Sequence, residues 1–138
     1  MKDTNKEMFL IRLAYWLGIF ADGLWSIALF SPAVFGFLTG NPDYNPTLEV
    51  KLLMGLGGTL MTCWTLLLIW AVRNPIERRF VILLTALVVF GLTIITIIRV
   101  INGDQFSSWI LIKTAILMIS MITSYILANK MSKSVNTN

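Results

Sequence analysis

The chain has 138 residues, of which 57% are hydrophobic and 13% are charged, with a net charge of +4 and a mean hydropathy of +0.78. A soluble domain of this size needs more charged side chains to cover its surface, so this composition excludes an ordinary soluble globular protein. Histidine is absent and cysteine occurs once, which excludes an intrachain disulfide, a His-ligated haem and a histidine general base.

Four apolar runs of about 20 residues fill most of the chain, and each is long enough to cross a bilayer as a helix. The pattern predicts an all-α integral membrane four-helix bundle, in which residues 1–138 form one transmembrane domain. The modest positive charge is typical of membrane topology, so we expect no binding of nucleic acid. The predicted spans are residues 8–30, 47–73, 76–101 and 107–128.

The first span follows a short basic segment, as a signal peptide does. It is long, lacks a small-residue cleavage site and precedes three further spans, so we expect it to be retained. Ser31-Pro32 then has the sequence of a helix start, and the eight residues 32–39 are too few to cross a membrane. We expect either a short interfacial helix or a kinked continuation of the first span.

Asn-Pro pairs mark the starts of the second and third spans. We expect Asn45 to cap the second span. Asn74 begins a capping-box pattern with Glu77, which places the start of the third span near residue 76. A tight turn at residues 102–104 precedes the fourth span, and the polar tail from Asn129 is predicted to be disordered.

Basic residues indicate the orientation in the membrane. Eight of the eleven lysines and arginines fall on the side of the two termini, and three fall on the other side. The positive-inside rule therefore predicts that both termini are cytoplasmic, in what we expect to be a prokaryotic cytoplasmic membrane.

Asp22 lies well inside the first span. A charge at that depth costs roughly 2.5–3.5 kcal/mol on insertion scales. We therefore expect its carboxylate to face protein or a water-filled cavity and not lipid. Small and hydroxylated residues, including Gly18 and Ser26, recur with Asp22 at helical spacing, which is typical of a face that packs against other helices.

Each of the other three spans contributes one basic residue to the outer layer: Lys51, Arg99 and Lys113. We expect an outward-facing polar pocket with Asp22 at its floor. The basic residues would rim it, and aromatic residues would wall it. The full predicted ligand-binding set is Asp22, Lys113, Arg99, Lys51, Glu49, Trp25, Tyr15 and Ser26, with no metal site, no cofactor and no assigned catalytic residue.

Each part of this pocket has a plainer interpretation. The three outer basic side chains could extend to the lipid headgroups. Asp22 could be a structural strut that pairs with one lysine and does nothing more. The small-residue stripes could serve packing alone.

The layout resembles the DoxX-like group of small four-helix membrane proteins. The features that carry the resemblance are a glycine-bearing first helix that ends in a Pro turn (Gly18, Gly23, Pro32) and a glycine-rich second helix (Gly55, Gly57, Gly58). The resemblance implies a fold and little chemistry. Asp22 also takes the place of the helix-1 acid of the small multidrug resistance transporters, to which the chain is similar in size, but their other motifs are missing and the charge asymmetry argues against dual topology.

Three functions agree with the sequence. The first is binding or moving a small amphiphile or lipid. The second is an accessory or assembly subunit of a membrane complex. The third is an intramembrane isomerase-type enzyme that would need Asp22 and Glu49 within reach of one substrate. Expected partners are membrane lipids, a small amphiphilic ligand, and either further copies of the chain or a membrane subunit.

Overall fold

The computed structural model describes residues 2–102 and 108–135. This part of the chain is helical and contains no strand. Its five helices are α1 (Lys2–Phe30), α2 (Pro32–Thr39), α3 (Leu48–Ala71), α4 (Arg79–Ile101) and α5 (Ser108–Val135). Four of them, all except α2, are long and apolar enough to cross a membrane.

The four long helices form an antiparallel bundle. Helix α1 packs against α3 and α5, and α4 completes the bundle mainly through its contact with α5. One end of the bundle, here called the α2 end, holds the last residues of α1 and the first of α3. The opposite end, the termini end, holds the start of α1, the α3–α4 turn and the end of α5.

The short helix α2 confirms the predicted segment 32–39. Ser31 is its N-cap residue and Pro32 occupies its first turn, where a missing N–H costs nothing. Gly40 ends the helix with φ = 80°, a backbone conformation that glycine adopts without strain. The chain then turns sharply, and the Asn41 amide donates to the Gly36 carbonyl at 2.8 Å.

Several predicted boundaries are wrong. Helix α3 is capped by Thr47 and not by Asn45, and α4 begins at Arg79, three residues after the predicted start. Asn74 and Glu77 lie in the turn, where their side chains hydrogen-bond to each other at 3.3 Å. The tight turn at 102–104 falls mostly outside the described residues.

Both terminal segments are more helical than predicted. Helix α1 begins at Lys2, and α5 continues to Val135, so the expectation of a disordered tail from Asn129 is wrong for the described part. Contacts between helices hold these extensions. Lys130 Nζ lies 3.5 Å from Glu7 Oε1, and Arg79 Nη1 donates to Ser132 Oγ at 3.0 Å.

The tightest packing lies toward the termini end. The fully buried side chains Ile11, Tyr15, Leu68, Ile82 and Met121 belong to one hydrophobic cluster there. The half of α5 nearer the α2 end, by contrast, has no buried residue from Leu111 to Ser120. The bundle is therefore closely packed toward the termini end and less closely packed toward the α2 end.

Glycine permits the close contact between α1 and α3. A Cβ atom on Gly58 would lie 3.2 Å from the Phe30 ring and 3.3 Å from the Leu29 Cβ, whereas one on Gly55 would meet nothing within 4 Å. Gly58 thus permits the close approach of the two helices, and Gly55, on the same helix, plays no part in it.

We expect Gly58→Ala to destabilise the fold by about 1 kcal/mol, because the added methyl group overpacks the α1–α3 contact. The matched variant Gly55→Ala should be neutral, or stabilising by up to about 1 kcal/mol, because alanine favours the helix. Thermal unfolding in detergent checks both, and equal effects of the two variants would contradict the packing described.

Candidate functional site

A cavity of about 360 Å³ lies in the less closely packed part of the bundle, and residues from all five helices line it. Asp22 and Trp25 come from α1, and Lys113 and Thr114 come from α5. Most of the remaining lining is aliphatic, with Met61 as the contribution of α3. The cavity is thus an apolar chamber with a few polar groups, which is the usual composition of a small-molecule site.

Helix α1 is fixed in place one turn from Asp22. Ser26 Oγ lies 2.6 Å from Thr62 Oγ1 and 3.2 Å from the Gly58 carbonyl oxygen of α3, and its one hydroxyl hydrogen can be donated to either. The hydroxyl of Thr62 in turn donates to the Gly58 carbonyl at 2.8 Å. These bonds set the rotation of α1 about its own axis, and with it the direction of the Asp22 side chain.

An aromatic cluster covers the α2 end of this region. The rings of Trp25 and Phe35 meet edge to face with centroids 6.1 Å apart, and Phe35 contacts the Tyr44 ring at 5.1 Å. Leu38, also on α2, lines the cavity. The short helix therefore helps to close the chamber.

Asp22 is the most unusual residue of the site. The residue is only 7% exposed. Its Oδ2 atom is buried and has no hydrogen-bond partner in the described part of the chain. A buried polar atom that lacks a partner costs about 1–3 kcal/mol, and a charged one costs more. Asp22 is also one of the residues that line the cavity.

The structure brings together three of the eight residues predicted for the pocket: Asp22, Trp25 and Lys113. Asp22 is buried within the bundle, as expected for an acid inside the first apolar run. Ser26, also predicted, is buried nearby, but its hydroxyl is engaged with α3 and does not line the cavity.

Tyr15 does not wall the cavity. Its hydroxyl donates to the Arg78 carbonyl at 3.0 Å, at the termini end, and its ring is fully buried in the hydrophobic cluster. Seven residues separate Tyr15 from Asp22, which is about 10 Å along the helix and away from the α2 end.

The predicted rim of basic residues is also incomplete. Lys51, Glu49 and Arg99 are exposed, and the cavity lining does not include them. Glu49 lies twelve residues before Met61, which is about 18 Å along α3. Depth along a helix was predictable for these residues, but the direction of each side chain was not.

Thr114 and the aliphatic lining were not predicted. Thr114 directly follows Lys113 in an otherwise apolar run. Its position beside a predicted site residue could have indicated that it belongs to the site. The leucine, isoleucine, valine and methionine lining carries no such signal, because an apolar residue of a span has the same pattern whether it faces lipid or a cavity. Within residues 2–102 and 108–135, no cluster of three or more metal-ligating side chains occurs.

Comparison of the chain with protein-family models, with curated proteins and with solved structures gives no match. The resemblance to DoxX-like proteins therefore stays a prediction.

We expect Asp22→Leu to raise the free energy of unfolding by about 1–3 kcal/mol, because it removes a buried oxygen that has no partner among the described residues. Asp43→Asn, in the exposed α2–α3 connection, is the control and should be neutral. Unfolding in detergent measures both, and a marked loss of stability in Asp22→Leu would instead identify Asp22 as a structural strut.

Proposed function

We propose that the chain is an integral membrane protein that binds, or binds and moves, a small amphiphile or lipid in the cavity at Asp22. The observation that carries this proposal is the burial of Asp22: its Oδ2 atom lacks a partner within the described chain, and the residue lines an apolar cavity. An occupant that donates a hydrogen bond to this oxygen would remove the cost of burying it.

The shape and lining of the cavity favour an amphiphile over a fully polar solute. Its volume of about 360 Å³ is within the range of small-molecule pockets. Its aliphatic walls suit an alkyl or ring system, and Asp22, Lys113 and Thr114 supply polar anchors. Because a carboxylate accepts hydrogen bonds and attracts cations, the group nearest Asp22 should be an amine or a hydroxyl.

The polar groups lie in the half of the bundle nearer the α2 end. Asp22 is eight residues from the end of α1, or about 12 Å, and Lys113 is five residues from the start of α5, or about 8 Å. If the termini are cytoplasmic, the site is within reach of the outer face of a prokaryotic cytoplasmic membrane.

The charge distribution supports that orientation. Arg12, Arg73, Arg78, Arg79 and Lys130 all belong to the termini end. Lys51, Arg99 and Lys113 belong to the half nearer the α2 end. This asymmetry fits the positive-inside rule with both termini in the cytoplasm.

The other two functions have less support. An isomerase that pairs Asp22 with Glu49 would need both carboxylates at one substrate, and Glu49 is not part of the cavity lining. An accessory-subunit role would need an exposed surface for a partner. The exposed aliphatic side chains of the four long helices serve lipid contact equally well.

Cysteine labelling tests the proposed orientation. In a Cys63→Ser background, a cysteine that replaces Asp43 should react with a membrane-impermeant maleimide in intact cells, because the α2–α3 connection lies outside. A cysteine that replaces Lys6 should react only after lysis. Labelling of the Lys6 position in intact cells would contradict the orientation.

Ligand-induced stabilisation tests the cavity. We expect decylamine to stabilise the detergent-purified protein against thermal unfolding, by about 1.4 kcal/mol at ten times its dissociation constant. Decanoate, with the same chain and the opposite charge, should stabilise it less, because the buried group nearest the ligand is a carboxylate.

Asp22→Asn should weaken decylamine binding at least about tenfold, because a charge-assisted hydrogen bond becomes a neutral one. Asp43→Asn is the matched control and should bind as the unmodified chain does. Equal stabilisation of all three proteins would show that decylamine acts through the micelle or another surface, and would reject the proposed site.

A further inference from the structure

A second cavity, of about 290 Å³, lies at the termini end, far from Asp22. Met8 and Arg12 of α1 form one side of this cavity, and the α3–α4 turn from Arg73 to Glu77 forms the other side. We call it the headgroup cavity. Two arginines therefore line one recess, and arginine is well suited to bind a phosphate or carboxylate through paired N–H donors.

The basic residues of this end divide into two groups. Arg78 is stacked on the Trp70 ring, with its guanidinium carbon 3.5 Å from the ring centroid, and it donates to the Trp70 carbonyl. Arg79 donates to the Ile76 carbonyl at 3.1 Å and to Ser132. Lys130 pairs with Glu7. These cations stabilise the fold.

Arg12 and Arg73 differ from them. Both are exposed, both line the headgroup cavity, and neither makes a hydrogen bond or an ion pair with another residue in the described part of the chain. Their donors are available to a ligand. The turn that carries Arg73 is well ordered by its own backbone bonds, in which the Asn74 amide donates to the Ala71 carbonyl at 3.2 Å and the Arg78 amide donates to the Asn74 carbonyl at 3.1 Å.

The charges in the recess match one phosphodiester. Two guanidiniums and the Glu77 carboxylate give a net charge of +1, which a single phosphodiester neutralises. The Glu77 carboxylate already accepts a hydrogen bond from Asn74 Nδ2 at 3.3 Å. Its remaining lone pairs can accept from a hydroxyl group of the same ligand.

The surroundings of Arg12 suit acyl chains. Phe9 and Trp16, three residues before and four residues after Arg12, lie on the same face of α1 as Arg12, and they are 65% and 47% exposed. The turn between α3 and α4 joins two membrane-length helices, so it lies at the membrane boundary if the chain spans the bilayer. A phosphate at Arg12 and Arg73 would therefore be at headgroup depth, with apolar side chains beneath it.

We propose that the headgroup cavity binds one anionic phospholipid with a hydroxylated headgroup, of which phosphatidylglycerol is the simplest, with its phosphate between Arg12 and Arg73. Basic pockets between helices on the cytoplasmic side are suited to such headgroups. This inference rests on the proposed membrane insertion and orientation, and it is independent of the Asp22 cavity.

Native mass spectrometry of the delipidated protein in mild detergent tests this inference. With added phosphatidylglycerol, one lipid should stay bound, and phosphatidylcholine with the same acyl chains should be retained less. Arg12→Gln and Arg73→Gln should each weaken phosphatidylglycerol binding about tenfold, because each removes a charge-assisted contact. Lys51→Gln, the same loss of charge at the other end, is the control and should bind normally.

Other results would overturn the inference. Equal retention of the two lipids, or unchanged binding in both arginine variants, would show that this recess is not a phospholipid site. Displacement of the lipid by millimolar inorganic phosphate would make free phosphate the ligand. Preference for phosphatidylethanolamine that is lost in Glu77→Gln would make an aminolipid the ligand.

Two controls keep these outcomes separate from protein instability and from the first site. Both arginines are exposed, so thermal unfolding without lipid should be unchanged in their variants. Asp22→Asn should retain phosphatidylglycerol as the unmodified chain does. If the unmodified chain binds decylamine but does not retain phosphatidylglycerol, this inference is overturned and the proposed function is not.

Discussion

The cost of burying the Asp22 carboxylate constrains the rest of the structure. An acid within an apolar helix must turn away from lipid, and only the packed side of α1 offers that direction. The hydroxyl of Ser26, bonded to Gly58 and Thr62 one turn away, fixes that side against α3. Gly58 of α3 then allows the two helices to approach, so one polar stripe sets both the packing of these helices and the position of the acid.

The two ends of the bundle use the same helices for different purposes. Toward the termini, large side chains such as Tyr15, Leu68 and Met121 are fully buried in the interior, and polar contacts such as that of Arg79 with Ser132 join the helices. Toward α2, no residue of α5 from Leu111 to Ser120 is fully buried, and the interior holds an apolar cavity that Asp22 lines. A closely packed end joined to a less filled one suits a protein that takes up a small amphiphile between its helices, and we propose that function on this ground.

The helices themselves were readable from the sequence because each depends on local information. Long apolar runs specify the four long helices, and Ser31-Pro32 specifies the start of α2. The start of α4 and the end of α5 were misplaced because contacts distant in sequence decide them. Arg79 reaches Ser132, and Lys130 reaches Glu7, so the polar tail of α5 has partners that no local pattern reveals.

The candidate site was predictable only in part, for a geometric reason. The cost of a buried charge indicated that Asp22 faces protein, and that residue lies in the cavity wall. The rise per residue gave the depth of Lys51, Arg99 and Tyr15, but the rotation of each helix decides whether a side chain points inward. The rotation of each helix about its axis follows from packing. The sequence of an apolar span does not show which of its residues face the cavity.

Determination of the structure in nanodiscs made from native membrane lipids tests the central claim most directly. The proposed function predicts density for a bound molecule in the Asp22 cavity, with a donor atom about 2.7–3.2 Å from Oδ2. A cavity closed by the chain's own side chains, with Asp22 hydrogen-bonded to one of them, would contradict it.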